Sequence, residues 1–144
     1  MKNALIVLVS LLTLAGCGGG GGGGTTATPS TPASVDVTGL WIGTLSSNQF
    51  GAMYTNITMA QNSSGGVSGT YTTPSGGGTA AGSVSGSSID FTLSPTGCTG
   101  YLVGTGTVAT NSTGKPQITA TYSGSYNCGG QAINESGNIS VSKN

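Results

Sequence analysis

The chain has 144 residues, of which 4% are charged, with three Lys or Arg, three Asp or Glu and no histidine. Soluble domains typically carry about 25% charged residues. Without a basic patch the phosphate-neutralising term that dominates nucleic-acid affinity is missing, so a nucleic-acid partner is excluded. Without histidine, the usual base for a nucleophilic triad is missing as well.

Residues 1–16 open with a single positive charge, in Met1-Lys2-Asn3, and continue through the apolar run Ala4 to Leu14 into Ala15 and Gly16. A charged start, an apolar centre and small residues at the end form the order of a secretory signal. The run is too short to cross the roughly 30 Å of a bilayer core, which takes about 20 apolar residues. Leu14-Ala15-Gly16-Cys17 then resembles the lipobox of bacterial lipoproteins, and all four positions fit. The resemblance implies that residues 1–16 are a signal peptide and that Cys17 becomes the new N-terminus. It implies a diacylglyceryl thioether on that cysteine, usually with acylation of its amine. Two or more acyl chains give a stable anchor where one gives marginal binding, so the membrane is the first expected partner. Gly18 follows where an inner-membrane retention signal often has Asp, which points to the outer membrane of a Gram-negative bacterium.

Residues 17–34 comprise this cysteine and a stretch rich in Gly, Thr and Pro with no hydrophobic pattern. A flexible coil of that length spans about 23 Å root-mean-square, enough for a tether. A phosphate-cradling loop would need a strand before the glycines and a helix after them, and neither is present. With Cys17 assigned to lipid, Cys98 and Cys128 remain for an exported, oxidising setting. A disulfide between them is expected, two free thiols being the alternative. A zinc site lacks ligands, since the domain has no histidine and no third cysteine, and no other metal or cofactor is expected.

From residue 35 to 144 the pattern changes to eight alternating runs: 38–46, 52–61, 66–73, 79–86, 88–94, 100–110, 117–127 and 133–142. Turn-rich clusters such as Asn62-Ser63-Ser64-Gly65, Pro74 to Gly78, Ser94 to Gly97 and Asn111 to Gly114 separate them. Ile89, Phe91 and Leu93 share one face, as do Ile118, Ala120 and Tyr122, and as do Thr55, Ile57 and Met59. Threonine, serine and other polar residues dominate the opposite faces, so one side of the sheet is buried. The fold class expected is all-β, an eight-stranded antiparallel up-and-down meander. Closure into a small barrel removes edges that this chain has few lysines to guard; a β-sandwich is the alternative. Glycines inside the runs (Gly43, Gly69, Gly82, Gly104, Gly106, Gly124) mark bends or close backbone approaches.

Val37-Thr38-Gly39-Leu40-Trp41 and Val67-Ser68-Gly69-Thr70-Tyr71 resemble the opening of avidin-type and related calycin barrels. Those begin with a Gly-x-Trp strand and return two strands later with Gly-Thr-Tyr. The resemblance implies an eight-stranded barrel with Trp41 plugging one end and Tyr71 touching a ligand. Trp41 is the single tryptophan, so the later pocket tryptophans of that family have no counterpart.

No enzymatic constellation emerges. Ser112-Thr113-Gly114-Lys115 has the Ser-x-x-Lys spacing of penicillin-binding enzymes, but it lies in an expected hairpin turn before Pro116 rather than on a helix. Asp90 and Glu135 are the one carboxylate pair inside expected strands, and a glycosidase would need them about 5–9.5 Å apart. The function expected is therefore non-enzymatic: a lipid-anchored envelope or surface module that binds a ligand or supports structure. A small molecule in the barrel, through Trp41 and Tyr71, is one form of it. The alternative is a loop-mediated protein-interaction module, of inhibitor or adhesin type.

Overall fold

The computed structural model describes residues 34–144; the expected signal peptide, Cys17 and the tether up to residue 33 lie outside the described residues. Eight strands follow one another: β1 (Gly39–Ser47), β2 (Gly51–Gln61), β3 (Gly66–Thr73), β4 (Gly76–Ser85), β5 (Ser88–Pro95), β6 (Cys98–Thr110), β7 (Pro116–Cys128) and β8 (Gln131–Lys143). Each pairs antiparallel with the next, and β8 pairs back onto β1, with Leu45 opposite Ile139 and Trp41 opposite Lys143. The meander is thus a closed up-and-down barrel, and the sandwich alternative is set aside. Closure leaves no edge strand, which reconciles so neutral a surface with an all-β chain.

Alternation drives this arrangement. Buried residues recur at every second position, as in Ile118, Ala120, Tyr122 on β7 and Ile89 and Leu93 on β5. All six in-strand glycines named above fall in the inward phase. A Cβ on any of them would meet the backbone of the neighbouring strand, as at Gly43 against Ser140 or Gly69 against Thr58. Side chains converge on the concave side of a small barrel, so glycine at inward positions lets strands coil tightly and makes room for rings. The Phe91 ring, for example, lies over Gly104 on the adjacent strand.

Strand boundaries move by one to three residues from the sequence expectation, β3 excepted, and most at the start of β4. The sequence places Gly76, Gly77 and Gly78 in a turn, yet they pair with Thr73, Thr72 and Tyr71 as the start of β4, leaving Pro74-Ser75 as the connection. Each glycine has its own reason: a Cβ on Gly78 would come 2.9 Å from the Tyr71 ring, one on Gly77 would come 2.6 Å from the Tyr71 carbonyl oxygen, and Gly76 takes a positive φ of 145°. Pro95 likewise ends β5, in register with Gly78.

The two ends of the barrel are unlike. Connections Asn62–Gly65, Gly86-Ser87 and Asn111–Lys115 mark one end, and residues 34–38 cross its opening. Val35 donates to the Gly86 carbonyl at 3.0 Å, and Val37 donates to Gln61 Oε1 at 2.8 Å. Trp41 fills the opening: it is fully buried and its indole N–H donates to the Val37 carbonyl at 2.8 Å. Above it Ile57, Val67, Ile89, Ile118, Ile139 and Val141 fill the interior, leaving a void of ≈ 30 Å³. Asn62 and Asn111 shape two turns of this end in the same way, each side-chain oxygen accepting from the backbone N–H two and four residues on. Ser112 to Lys115 is therefore an Asn-capped hairpin turn, as the sequence indicated.

Candidate functional site

The other end is open. A cavity of ≈ 400 Å³ enters the barrel between the connections at Asn48–Phe50, Pro74-Ser75, Thr96-Gly97 and Gly129-Gly130. Ligand pockets for small molecules usually measure about 300–1,000 Å³. Leu45, Leu93 and Leu102 line its lower wall, and Met53, Phe50 and Ile133 stand nearer the rim. Phe50, on the β1–β2 connection, is 48% exposed, a large apolar surface left in water at the lip of the cup.

One carboxyl group interrupts this apolar lining. Glu135 on β8 faces the cavity yet is only 7% exposed. Burial of an unpartnered carboxylate is costly, and two phenols offset that cost. Tyr122 donates to Oε1 at 2.9 Å and Tyr126 donates to Oε2 at 2.7 Å. Register explains the arrangement. The residue directly opposite Glu135 is Gly124, so the carboxyl side chain enters the gap between the two tyrosines that flank it at two-residue spacing. A β-strand sends residues 122, 124 and 126 to one face, and the missing Gly124 side chain creates the berth.

Tyr71 adds a third phenol beside this cluster, and Thr73, Ser75 and Thr96 add hydroxyls toward the rim. Tyr71 is 8% exposed, lines the cavity and carries a hydroxyl with no hydrogen-bond partner among the described residues. Burial, and then the nearby Glu135 charge, push its phenol up to about 12. Burial raises Tyr122 and Tyr126 further still, with the hydrogen bond to Glu135 the next cause for each. All three phenols therefore remain un-ionised O–H donors throughout the physiological range.

Cys98 and Cys128 are bonded to each other and lie on the cup's wall. They face one another in register on β6 and β7, with Cα atoms 4.5 Å apart, the spacing of a non-hydrogen-bonded antiparallel pair. Just beyond, Gly129 and Gly130 both take positive φ, 59° and 86°, the two-residue turn that matches strand twist.

The remaining sequence candidates separate. Trp41 lies at the closed end and does not line the cup, so Trp41 and Tyr71 share no site. Asp90 pairs with Ser83 and Thr105 on the outer face of the wall, while Glu135 points inward. The two carboxyl groups do not converge on one substrate position. Among the described residues no three His, Cys, Asp or Glu side chains gather as metal ligands. Tyr126 and the Tyr122–Glu135–Tyr126 cluster do not stand out in the sequence. The available signal is Tyr122-x-Gly124-x-Tyr126, two rings and a gap in one phase of a strand. No protein-family model and no curated protein matches the chain.

Proposed function

We propose that this protein is an exported, lipid-anchored barrel that binds a small ligand in its open cup and performs no chemistry on it. The observation that carries this reading is the contrast between the two halves of the interior. One half is packed around Trp41 to a void of ≈ 30 Å³, and the other holds ≈ 400 Å³ lined by apolar side chains with a few convergent polar groups. That composition is the usual one for a small-molecule site. The separation of Asp90 from Glu135 by the barrel wall supports a binding role over paired-carboxylate catalysis. The lipobox resemblance at Leu14–Cys17 and the Gly18 that follows support an outer-membrane anchor on Cys17. The described residues begin at the closed end, away from the cup.

Native mass spectrometry of the full lipidated chain, released from membranes and compared with an Ile133→Trp variant, tests this reading. A co-purified small molecule, or added apolar probes retained by the wild type and lost when the larger indole fills the cup, is the expected result. Equal retention by both proteins would refute it. Loss of membrane association in Cys17→Ser is expected alongside, read by fractionation. A second reading, interaction with a protein through the loops, draws on the exposed Phe50 at the rim. A protein partner whose capture survives Ile133→Trp but not Phe50→Ser would favour it.

A further inference from the structure

We infer that the ligand of this cup is a compact organic cation with an apolar body, an alkylamine or alkylammonium, held by Glu135 with the rings of Tyr71 and Tyr126 beside its head. The inference rests on the binding reading above and adds the charge of the ligand to it.

Glu135 is the one charged side chain of the open half among the described residues; Asp36 lies at the closed end and Asp90 on the outer wall. Lys115 lies in the β6–β7 connection and Lys143 ends β8, both at the closed end, while Glu135 is in the half that opens. Eight residues of strand separate Lys143 from Glu135, and eight separate the start of β7 from Gly124 opposite it. At about 3.3 Å per residue that is about 26 Å, well beyond the roughly 8 Å over which charge acts at physiological salt. No cation among the described residues neutralises the carboxylate in the cup, and a negative, low-dielectric concavity concentrates cations from solution.

Coordination leaves room for one. A carboxylate offers about four lone-pair positions, and Tyr122 and Tyr126 occupy one on each oxygen. The remaining acceptor capacity belongs to a group that lines the cavity rather than one sealed in the wall. Were the cluster only a tie between β7 and β8, no cavity need end on it. Tyr71 and Tyr126 line the same floor, and Phe50 stands at the rim. Aromatic faces attract cations, more so where water is excluded, and surround quaternary ammonium heads in known cages. The leucine and isoleucine walls then take an alkyl body. An anion would meet the carboxylate directly and would have no positive group to bind. A bare metal ion would have a single carboxylate and no second acidic, histidine or cysteine ligand among the described residues.

The test uses four probes of one chain length: hexyltrimethylammonium, hexylamine, 1-hexanol and hexanoate. Each is titrated calorimetrically into the full lipidated chain in phosphatidylcholine nanodiscs, with empty nanodiscs as the reference. Both cations are expected to bind at least tenfold more tightly than hexanol, with hexanoate weakest. Glu135→Gln should remove the cations' advantage and leave hexanol unchanged. Raising KCl from 20 to 500 mM should weaken the cations several-fold and spare hexanol, a readout on the wild type that needs no folded variant. Hexanol binding as tightly as the cations would overturn the charge inference while the cup reading stood. No binding by any probe would overturn both. A cation preference that ignores salt, or that survives in folded Glu135→Gln, would place the cation elsewhere and overturn the inference.

Discussion

Glu135, Tyr122 and Tyr126 form a cluster in which each carboxyl oxygen accepts from one phenol. Hydrogen bonds to charged groups contribute about 1.5–3 kcal/mol, against about 1 for neutral pairs. Tyr126→Phe keeps the ring and deletes one of the two donors, so it should lower stability by about 1.5–3 kcal/mol in urea denaturation. A loss below about 0.5 kcal/mol would mean that water replaces the phenol at the cup floor at no cost. The same residues set a pH limit. Tyr71 has its folded value pushed from 10.0 up to about 12, so it holds its proton more tightly folded than unfolded. Its contribution is complete below pH 10 and is lost as pH rises through the window from about 10 to 12. Tyr122 and Tyr126 shift in the same direction and extend the loss upward. The melting temperature should fall steeply above pH 10, and phenolate absorbance from three of the five tyrosines should appear only as the barrel opens. Ionisation of all five near pH 10 with the fold intact would contradict the burial of this cluster.

Strand β7 shows how one glycine can hold a site. Replacing Gly124 with alanine sets a Cβ 2.5 Å from the Tyr101 carbonyl oxygen and 3.0 Å from the Leu102 Cα, both backbone atoms of β6. Backbone cannot move aside as a side-chain tip can, so β6 and β7 must separate locally. Gly124→Ala should cost about 1–3 kcal/mol, the usual penalty of overpacking, and should shift the Glu135 berth. Thermal melts together with the tyrosine near-ultraviolet dichroism would show both effects, whereas an unchanged spectrum would mean that the berth does not depend on this contact. Period-two alternation makes most of this barrel legible in the sequence, because Ile118, Ala120 and Tyr122 need no knowledge of their neighbours to be assigned a face. Neutral edges favour closure too, but they leave a sandwich open, and only the pairing of β8 with β1 decides between them. The carboxylate cluster is not legible in this way. It depends on the register that sets Gly124 against Glu135, and register between two long strands is fixed by the turn and by the whole buried face, not by either strand alone. The triple glycine at Gly76 reads as a turn for a similar reason: the residues it pairs with, Tyr71 to Thr73, lie on another strand.

At the scale of the whole molecule the two ends are secured by different means. Trp41, Val37 and the crossing segment close one end by packing and hydrogen bonds. The open end cannot be packed without losing the cup, and there the Cys98–Cys128 bond ties the tips of β6 and β7. Cross-linking residues 30 apart in sequence removes about 3–4 kcal/mol of loop entropy from the unfolded chain. Loss of that term lowers the melting temperature of a domain this size by on the order of 10–25 °C. The entropic account alone makes a uniform prediction: every amide that exchanges by global unfolding speeds up by the same factor. The position of the bond makes a different one. β6 and β7 keep their ladder without it, but their tips carry Tyr126, directly below Cys128, and pair onward to Ile133 beside the cup. Local opening draws on the least-packed region first, and the cup is that region. In the reduced protein, or in Cys98→Ala/Cys128→Ala, hydrogen exchange should therefore accelerate more at Tyr126 and Ile133 than at Ile118 and Val141 in the packed half. A uniform increase across all four would show that the disulfide acts through the unfolded state alone. Acceleration confined to the open end would show that it also holds the mouth of the cup in shape, so that reduction loosens the cup before it unfolds the barrel.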